Sequence, residues 1–404
     1  MSEVAQAPHS SPDGHIPQLR FPEFSGEWGR KLFNNIVDII DGDRGVNYPK
    51  SNDFFNDEYC LFLSAKNVTK NGFIFNETQF ITKERDALLR KGKLSRGDIV
   101  LTTRGTVGQF AFYSDDVLYD NIRINSGMVL LRNNNDNLLN SYFFKACKSF
   151  QISRQIKIVA FGSAQPQLTV KEINKIKISL PAKPEQQKIA AFLTAVDNKI
   201  EQLSKKQELL DEYKKGLMQQ IFSQAVRFKA DDGSDFPDWE ERKLGDVGKV
   251  YQPKTISQTD LTTKGFDVYG ANGIIGKYSE YNHEFEQIAV TCRGNTCGTV
   301  NFTKPKSWIT GNAMVVNVDD SKVVNKTFIY YQLSHTNLTY LITGSGQPQI
   351  TGDIKTHKVK IPSLPEQTKI ANFLSSIDNK IEQVGKQLDE SKQFKKALLQ
   401  QMFV

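Results

Sequence analysis

The sequence predicts an α+β fold made twice over: two mixed α/β globular domains separated by two long helices of coiled-coil pattern. Three observations predict it. PEQQKIAAFLTAVDNKIEQ from Pro184 returns as PEQTKIANFLSSIDNKIEQ from Pro365, 181 residues on, and the likeness continues from KKGLMQQIF at Lys214 into KKALLQQMF at Lys395. A repeat of this length decides the architecture before any local feature does. The repeated segments carry apolar residues in heptads, whereas the stretches before them carry short β-type runs punctuated by Gly and Asn. With 404 residues, 39% hydrophobic and 24% charged, the chain has room for two or three domains and the composition of one that folds.

Taken in order, residues 1–18 are Pro/Ser-rich, match nothing elsewhere in the chain and are expected to be disordered. Residues 19–180 form the first domain, with β-type runs at 99–102 and 128–131 and a helical signal at 141–155. Residues 181–223 form the first long helix, in which Ile189, Val196, Leu203, Leu210 and Leu217 recur every seven residues beside Leu193 and Ile200. Residues 224–362 form the second domain, with β-type runs at 287–291 and 314–316 and a helical signal at 327–341. Residues 363–404 form the second long helix, with Ile370, Ile377, Val384 and Leu398 beside Leu374, Ile381 and Leu388. So narrow a stripe needs a partner helix, and about 38 residues at ~1.5 Å each make a rod of roughly 55 Å.

The formal net charge of +7 and a pI near 8.9 favour an anionic partner, nucleic acid first. No run approaches the ~18 apolar residues of a membrane span, and the opening residues lack the apolar core of a signal peptide, so a cytoplasmic location is expected. Cys60, Cys147, Cys292 and Cys297 make neither a disulfide framework nor a zinc set and read as reduced thiols. Catalytic signatures fail one by one. Asp238 and Glu241 with Lys243 imitate a nuclease, but their spacing does not bring carboxylates together from separate strands. The Gly-rich run from Gly270 to Lys277 lacks the first Gly and the following Ser or Thr of a phosphate loop. His9, His15, His283, His335 and His357 show no paired metal spacing.

What remains is a binding surface. Residues 83–104 hold seven Lys or Arg against three acids, Lys91 and Lys93 among them, and end in Arg104, Gly105 and Thr106. The second domain offers Arg293, Gly294 and Asn295 at the equivalent place. An Arg before a Gly can aim its fork from a tight turn at guanine O6 and N7 or at a phosphate; the alternative is a solvated strand-ending turn. Asn121, Arg123, Asn125 and Asn312 add groups of the kind that read base edges, and Asn272, Lys277 and Tyr278 sit on the Gly-rich run. The repeated Gln165-Pro166-Gln167 and Gln347-Pro348-Gln349 fit best as caps of the helix junction.

The chain resembles the specificity (S) subunits of type I restriction-modification enzymes. The resemblance is carried by LPAKPEQQKIAAFLTAVDNKIEQ and IPSLPEQTKIANFLSSIDNKIEQ, by the lead-ins GSAQPQLT and GSGQPQIT, and by the Trp28 to Leu32 and Trp239 to Leu244 starts of each half. It implies that the globular parts are target recognition domains, each reading one half of a bipartite double-stranded DNA sequence. It implies that the helices form an antiparallel coiled coil that sets the spacing. Two modification subunits, which bind S-adenosylmethionine and methylate adenine, would dock on this frame, joined by two restriction subunits using ATP and Mg²⁺. The chain itself would bind no cofactor or metal and catalyse nothing. The base-reading candidates rest on the residues alone, because the recognition domains are the variable part of the family.

Overall fold

The computed structural model describes residues 16–160, 166–271, 273–344 and 347–404. The expected disordered tail falls for the most part outside them, although Pro17 is buried and the Leu19 amide donates to the Gln401 carbonyl at 3.0 Å. The chain divides into two compact units, Met1–Gln202 with Gln387–Val404, and Leu203–Lys386. Each unit therefore takes one globular domain and half of each long helix, rather than following the boundaries at 181 and 223. No helix among the described residues is long and apolar enough to cross a membrane.

In the first unit an antiparallel sheet runs in the order Val37–Asp41, Met128–Asn133, Ile99–Thr102, Phe110–Phe112. Its central strands are apolar at almost every position because both faces are covered: Ile99, Leu101, Val129 and Leu131 enter one core and Val100, Met128 and Leu130 another. The second core is shared with a three-stranded sheet of Phe80–Ile81, Cys60–Leu63 and Ile122–Ile124. Gly29–Leu32 pairs antiparallel with Lys177–Leu180, tying the start of the domain to its end. The helical signal at 141–155 resolves into two helices, Asn140–Cys147 and Phe150–Ala160. The break falls where the buried Ser149 turns its hydroxyl to the Ile152 amide at 3.4 Å, a local bond that competes with helix continuation.

The second unit repeats this plan in unlike sequence. Its sheet order is Lys249–Tyr251, Ala313–Asn317, Ile288–Thr291, Val300–Phe302, and its three-stranded sheet is Gly273–Tyr278, Phe266–Gly270, Trp308–Ile309. Glu240–Lys243 pairs with Lys358–Ile361 as the closing ribbon. The signal at 327–341 is the helix Lys326–His335 followed by a turn in which the Asn337 side chain accepts from the Thr339 amide at 3.0 Å.

The long helices are Lys183–Phe222 and Leu364–Gln401. Every predicted seam residue on them is buried or half-buried. Within the second unit Lys214 pairs with Asp378 at 2.5 Å and Gly385 lies against Gln207, so seven residues forward on one helix meet seven back on the other. The helices run antiparallel there. Within the first unit Asp197 takes both Lys395 at 2.6 Å and Lys145 at 2.5 Å. Burial alone would raise the Asp197 carboxyl, but the two lysines outweigh it and hold it below the usual range.

Each domain is fastened to the start of a long helix by the same device. Gln186 accepts from the Leu139 amide and donates to the carbonyls of Asn137 and Pro181, while Gln367 accepts from the Asn325 amide and donates to Val323 and Pro362. Both glutamines are fully buried with all three bonds made. Arg20 forks onto Glu185, and Arg227 onto Glu366, the preceding residue of each repeat.

Candidate nucleic-acid interface

The two Arg-Gly turns are built alike. After Ile99–Thr102 the chain reverses through Gly105, whose φ of +71° suits glycine, and the Gly108 amide returns to the Thr102 carbonyl at 2.9 Å. After Ile288–Thr291 it reverses through Gly294, φ +80°, and the Gly298 amide returns to Thr291 at 2.8 Å. Thr103 donates to the Gly127 carbonyl at 2.8 Å, and Cys292 to Asn312 at 2.9 Å. Leu168 donates to Thr103 at 3.0 Å, and Ile350 to Cys292 at 3.0 Å. These last bonds come from the segments following Gln-Pro-Gln, so that motif, expected to cap the helix junction, leads directly into a strap holding the Arg-Gly turn. Thr169 and Thr351, just beyond, cap short helices. Gln165 lies outside the described residues.

Arg104 and Arg293 are exposed, and among the described residues neither has a carboxylate partner. Thr106 and Asn295 are exposed beside them, Asn312 is half-buried, and the half-buried Asn125 spends its side-chain oxygen on the Gly127 amide at 2.9 Å. Arg44, which carried no repeat or motif, reaches the Ser126 carbonyl at 3.2 Å and so borders the same turn as Arg104. The Gly42-Asp43-Arg44-Gly45 stretch was the only signal available for it. Asp43 shapes that loop by accepting from the Gly45 and Arg90 amides, bonds that lower its carboxyl below the usual range. Arg90 and the exposed Lys91 line the hollow beside it. Arg44, Arg90, Lys91 and Arg104 thus form a basic ridge, with Asp41 holding Arg44 at 3.1 Å and Asp43 set in the same hollow.

Other candidates are spent on the protein itself. Arg123 is buried, with its guanidinium on the Asp86 carboxylate and on the carbonyls of Asp86, Leu89 and Lys91. It cannot reach DNA without unfolding its surroundings. Lys93 is held at 2.6 Å by the same Asp86. Asn121 is half-buried; its main chain is held by the Leu61 amide at 2.9 Å, while its side chain makes no hydrogen bond among the described residues. Lys277 pairs with Asp267 at 2.6 Å, and Tyr278 packs edge-on to Trp308. Asn272 lies outside the described residues; its neighbour Ala271 accepts from the Thr291 and Thr296 hydroxyls, which brings that loop against the Arg293 turn.

Burial works against the charge on Asp86, but Lys93 and Arg123 hold its carboxyl below the ordinary value. Its contribution to stability is therefore complete above pH ~4 and is lost as pH falls through the lowered value. Arg123→Ala is expected to reduce the unfolding free energy by about 3 kcal/mol, since it deprives a buried carboxylate of its main partner. A denaturant titration checks this, and unchanged stability with weakened DNA binding would return Arg123 to the interface.

All four cysteines are buried free thiols, and burial pushes Cys60 up to about 12. Among the described residues no group of three His, Cys, Asp or Glu is arranged to hold a metal ion.

A family model described as the type I restriction modification DNA specificity domain matches residues 32–211 and again 237–391. The chain belongs to this type I DNA specificity family. The MjaVIII specificity subunit of Methanocaldococcus jannaschii is 26% identical over 361 residues, 80% of this chain and 79% of that protein. The EcoprrI specificity subunit of Escherichia coli is 27% identical over 161 residues, 38% of the chain. Among solved structures, the type I S subunit from M. genitalium superimposes with a TM-score of 0.65 at 16% identity, covering 96% of this chain and 99% of that one. That likeness is one of fold. The type I specificity family match falls twice, and each match contains one Arg-Gly turn.

Proposed function

We propose that the chain is the address-reading component of a type I restriction-modification complex. Each unit reads one half of a bipartite double-stranded DNA target, and the long helices set the spacing and dock two modification subunits. The observation that carries this reading is the pair of Arg-Gly turns, fastened by three matched hydrogen bonds in two domains of unlike sequence. A conserved mount with changed surroundings is what two readers of different half-sites require. Lysines and arginines of the basic ridge settle on phosphates and fix register, while Arg104 and Arg293 offer forks to base edges in the major groove. The modification subunits bring S-adenosylmethionine and act on an adenine turned out of the stack. Two restriction subunits bring ATP and Mg²⁺, and the assembly works in the cytoplasm. The chain binds none of these cofactors and performs no bond chemistry.

The test is to purify the chain alone and with modification subunits, supply S-adenosylmethionine, and map methylated adenines. One split sequence methylated by the complex and none by the chain alone is expected; methylation or cleavage by the chain alone would refute the division of labour. Arg104→Ala or Arg293→Ala should cost roughly 1–3 kcal/mol of binding and relax one base position. Uniform weakening on all sequences would instead make that arginine a phosphate contact. Affinity should fall steeply with salt, as counterions are displaced at each phosphate; a purely structural scaffold would show no such dependence.

A further inference from the structure

The first unit holds a pocket of about 280 Å³ between the start of the helix Phe150–Ala160 and the end of the second long helix. Its walls are Lys148, Phe150, Lys392, Lys395, Lys396 and Leu399. Asp197 occupies Lys395, but among the described residues no carboxylate pairs with Lys148, Lys392 or Lys396. Lys148 lies 4.3 Å over the ring of Phe144, and burial, with Lys395 second, pushes its amine down to about 8. An arriving carboxylate would relieve that repulsion. The floor is apolar, with Phe150 54% exposed.

The internal repeat shows that this is not a feature of both ends. Lys392, Lys395, Lys396 and Leu399 answer to Asp211, Lys214, Lys215 and Met218 in the first copy. Lys145, which bonds Asp197, answers to Tyr331, which bonds Asp378 at 2.6 Å, so Lys148 three residues on answers to Ser334. Two of the four lysines are thus replaced, one of them by an acid. A partner using features common to both copies would find two seats per chain; this pocket offers one.

We propose that the pocket docks an acidic segment of a partner protein, seating an apolar side chain on Phe150 and Leu399 with carboxylates on the lysines, once per chain. A nucleic-acid backbone would use the ammonium groups and leave the apolar floor bare, which favours the peptide. The inference stands apart from the DNA-reading surface.

The experiment is fluorescence anisotropy of the full chain with a labelled peptide of glutamates interrupted by phenylalanine, at physiological salt. One peptide per chain is expected. An all-glutamate peptide should bind more weakly, and Lys148→Gln with Lys392→Gln should weaken binding about tenfold. Lys215→Gln, at the other copy, should change nothing. Because Lys148 is packed, the exposed Lys392→Glu serves as a second variant, with circular dichroism as the check on folding. Two peptides per chain, or binding indifferent to both variants, would overturn the proposal. So would duplex DNA whose affinity falls tenfold in these variants while the peptide does not bind.

Discussion

Replacing residues 224–362 with the corresponding stretch of another member of the family is expected to change one half of the methylated sequence and leave the other half intact. The insert has natural ends: the ribbon of Glu240–Lys243 with Lys358–Ile361 closes the domain on itself. Its attachment to the frame is a shared apolar core, in which Met218, Ile221, Ile370, Leu374 and Ile377 of the long helices pack with Leu244, Phe328 and Ile329. The bonds to Gln367, Arg227 on Glu366 and the side chain at 331 on Asp378 add to it, so the incoming domain must come from a relative whose core face matches. Each wrong base pair costs about 1–3 kcal/mol, roughly additively, so losing every specific pair of one half-site removes several times that. The original sequence should vanish from a methylation map rather than fade. A hybrid that altered both halves would show that the domains do not read independently.

Four residues added to each long helix, after Gln207 and after Val384, are expected to lengthen the gap between half-sites by one or two base pairs. The two insertions face each other, so they leave the pairing of Gln207 with Gly385 and of Asp197 with Lys395 on one side, and of Lys214 with Asp378 on the other. Four helical residues add ~6 Å of rise, nearly two base pairs of DNA at ~3.4 Å each, and ~40° of rotation, about the twist of one base pair. The half-sites themselves should not change. Methylation at the original spacing by a folded variant would remove the helices from the setting of distance.

The architecture was legible because it is written twice. The seam residues needed only the heptad period, and of the fourteen predicted positions nine are buried and five, Val196, Ile200, Leu210, Leu217 and Ile381, are half-buried. The shared sheet order of the two domains was not legible, since it survives as strand pairing while side chains differ: Val100, Met128 and Leu130 fill a core that Ala289, Ala313 and Val315 fill in the other domain. Arg123 was misread because its guanidinium, like the amides of Asn121 and Asn125 beside it, is of the kind that reads base edges. Its partner Asp86 is remote in sequence, and no period links them. Arg104 and Arg293 could be picked out from their glycines, whereas the strap through Leu168 and Ile350 could not. A backbone hydrogen bond leaves no mark on residue identity.

The core of the first domain includes Leu398, Met402 and Phe403, with Trp28 and Tyr142 against the Phe403 ring and the Gln151 side chain on its carbonyl at 2.7 Å. These residues leave the ribosome only after the whole second domain has been made. The first domain to be synthesised is therefore the last to be completed, and during translation it waits with part of its apolar surface uncovered. Contacts this far apart in sequence close slowly and expose intermediates to aggregation. Premature termination near residue 397 should consequently damage the first domain although the break lies far from it in sequence, and a nascent chain of this protein would be a natural client for chaperones until Leu398, Met402 and Phe403 emerge.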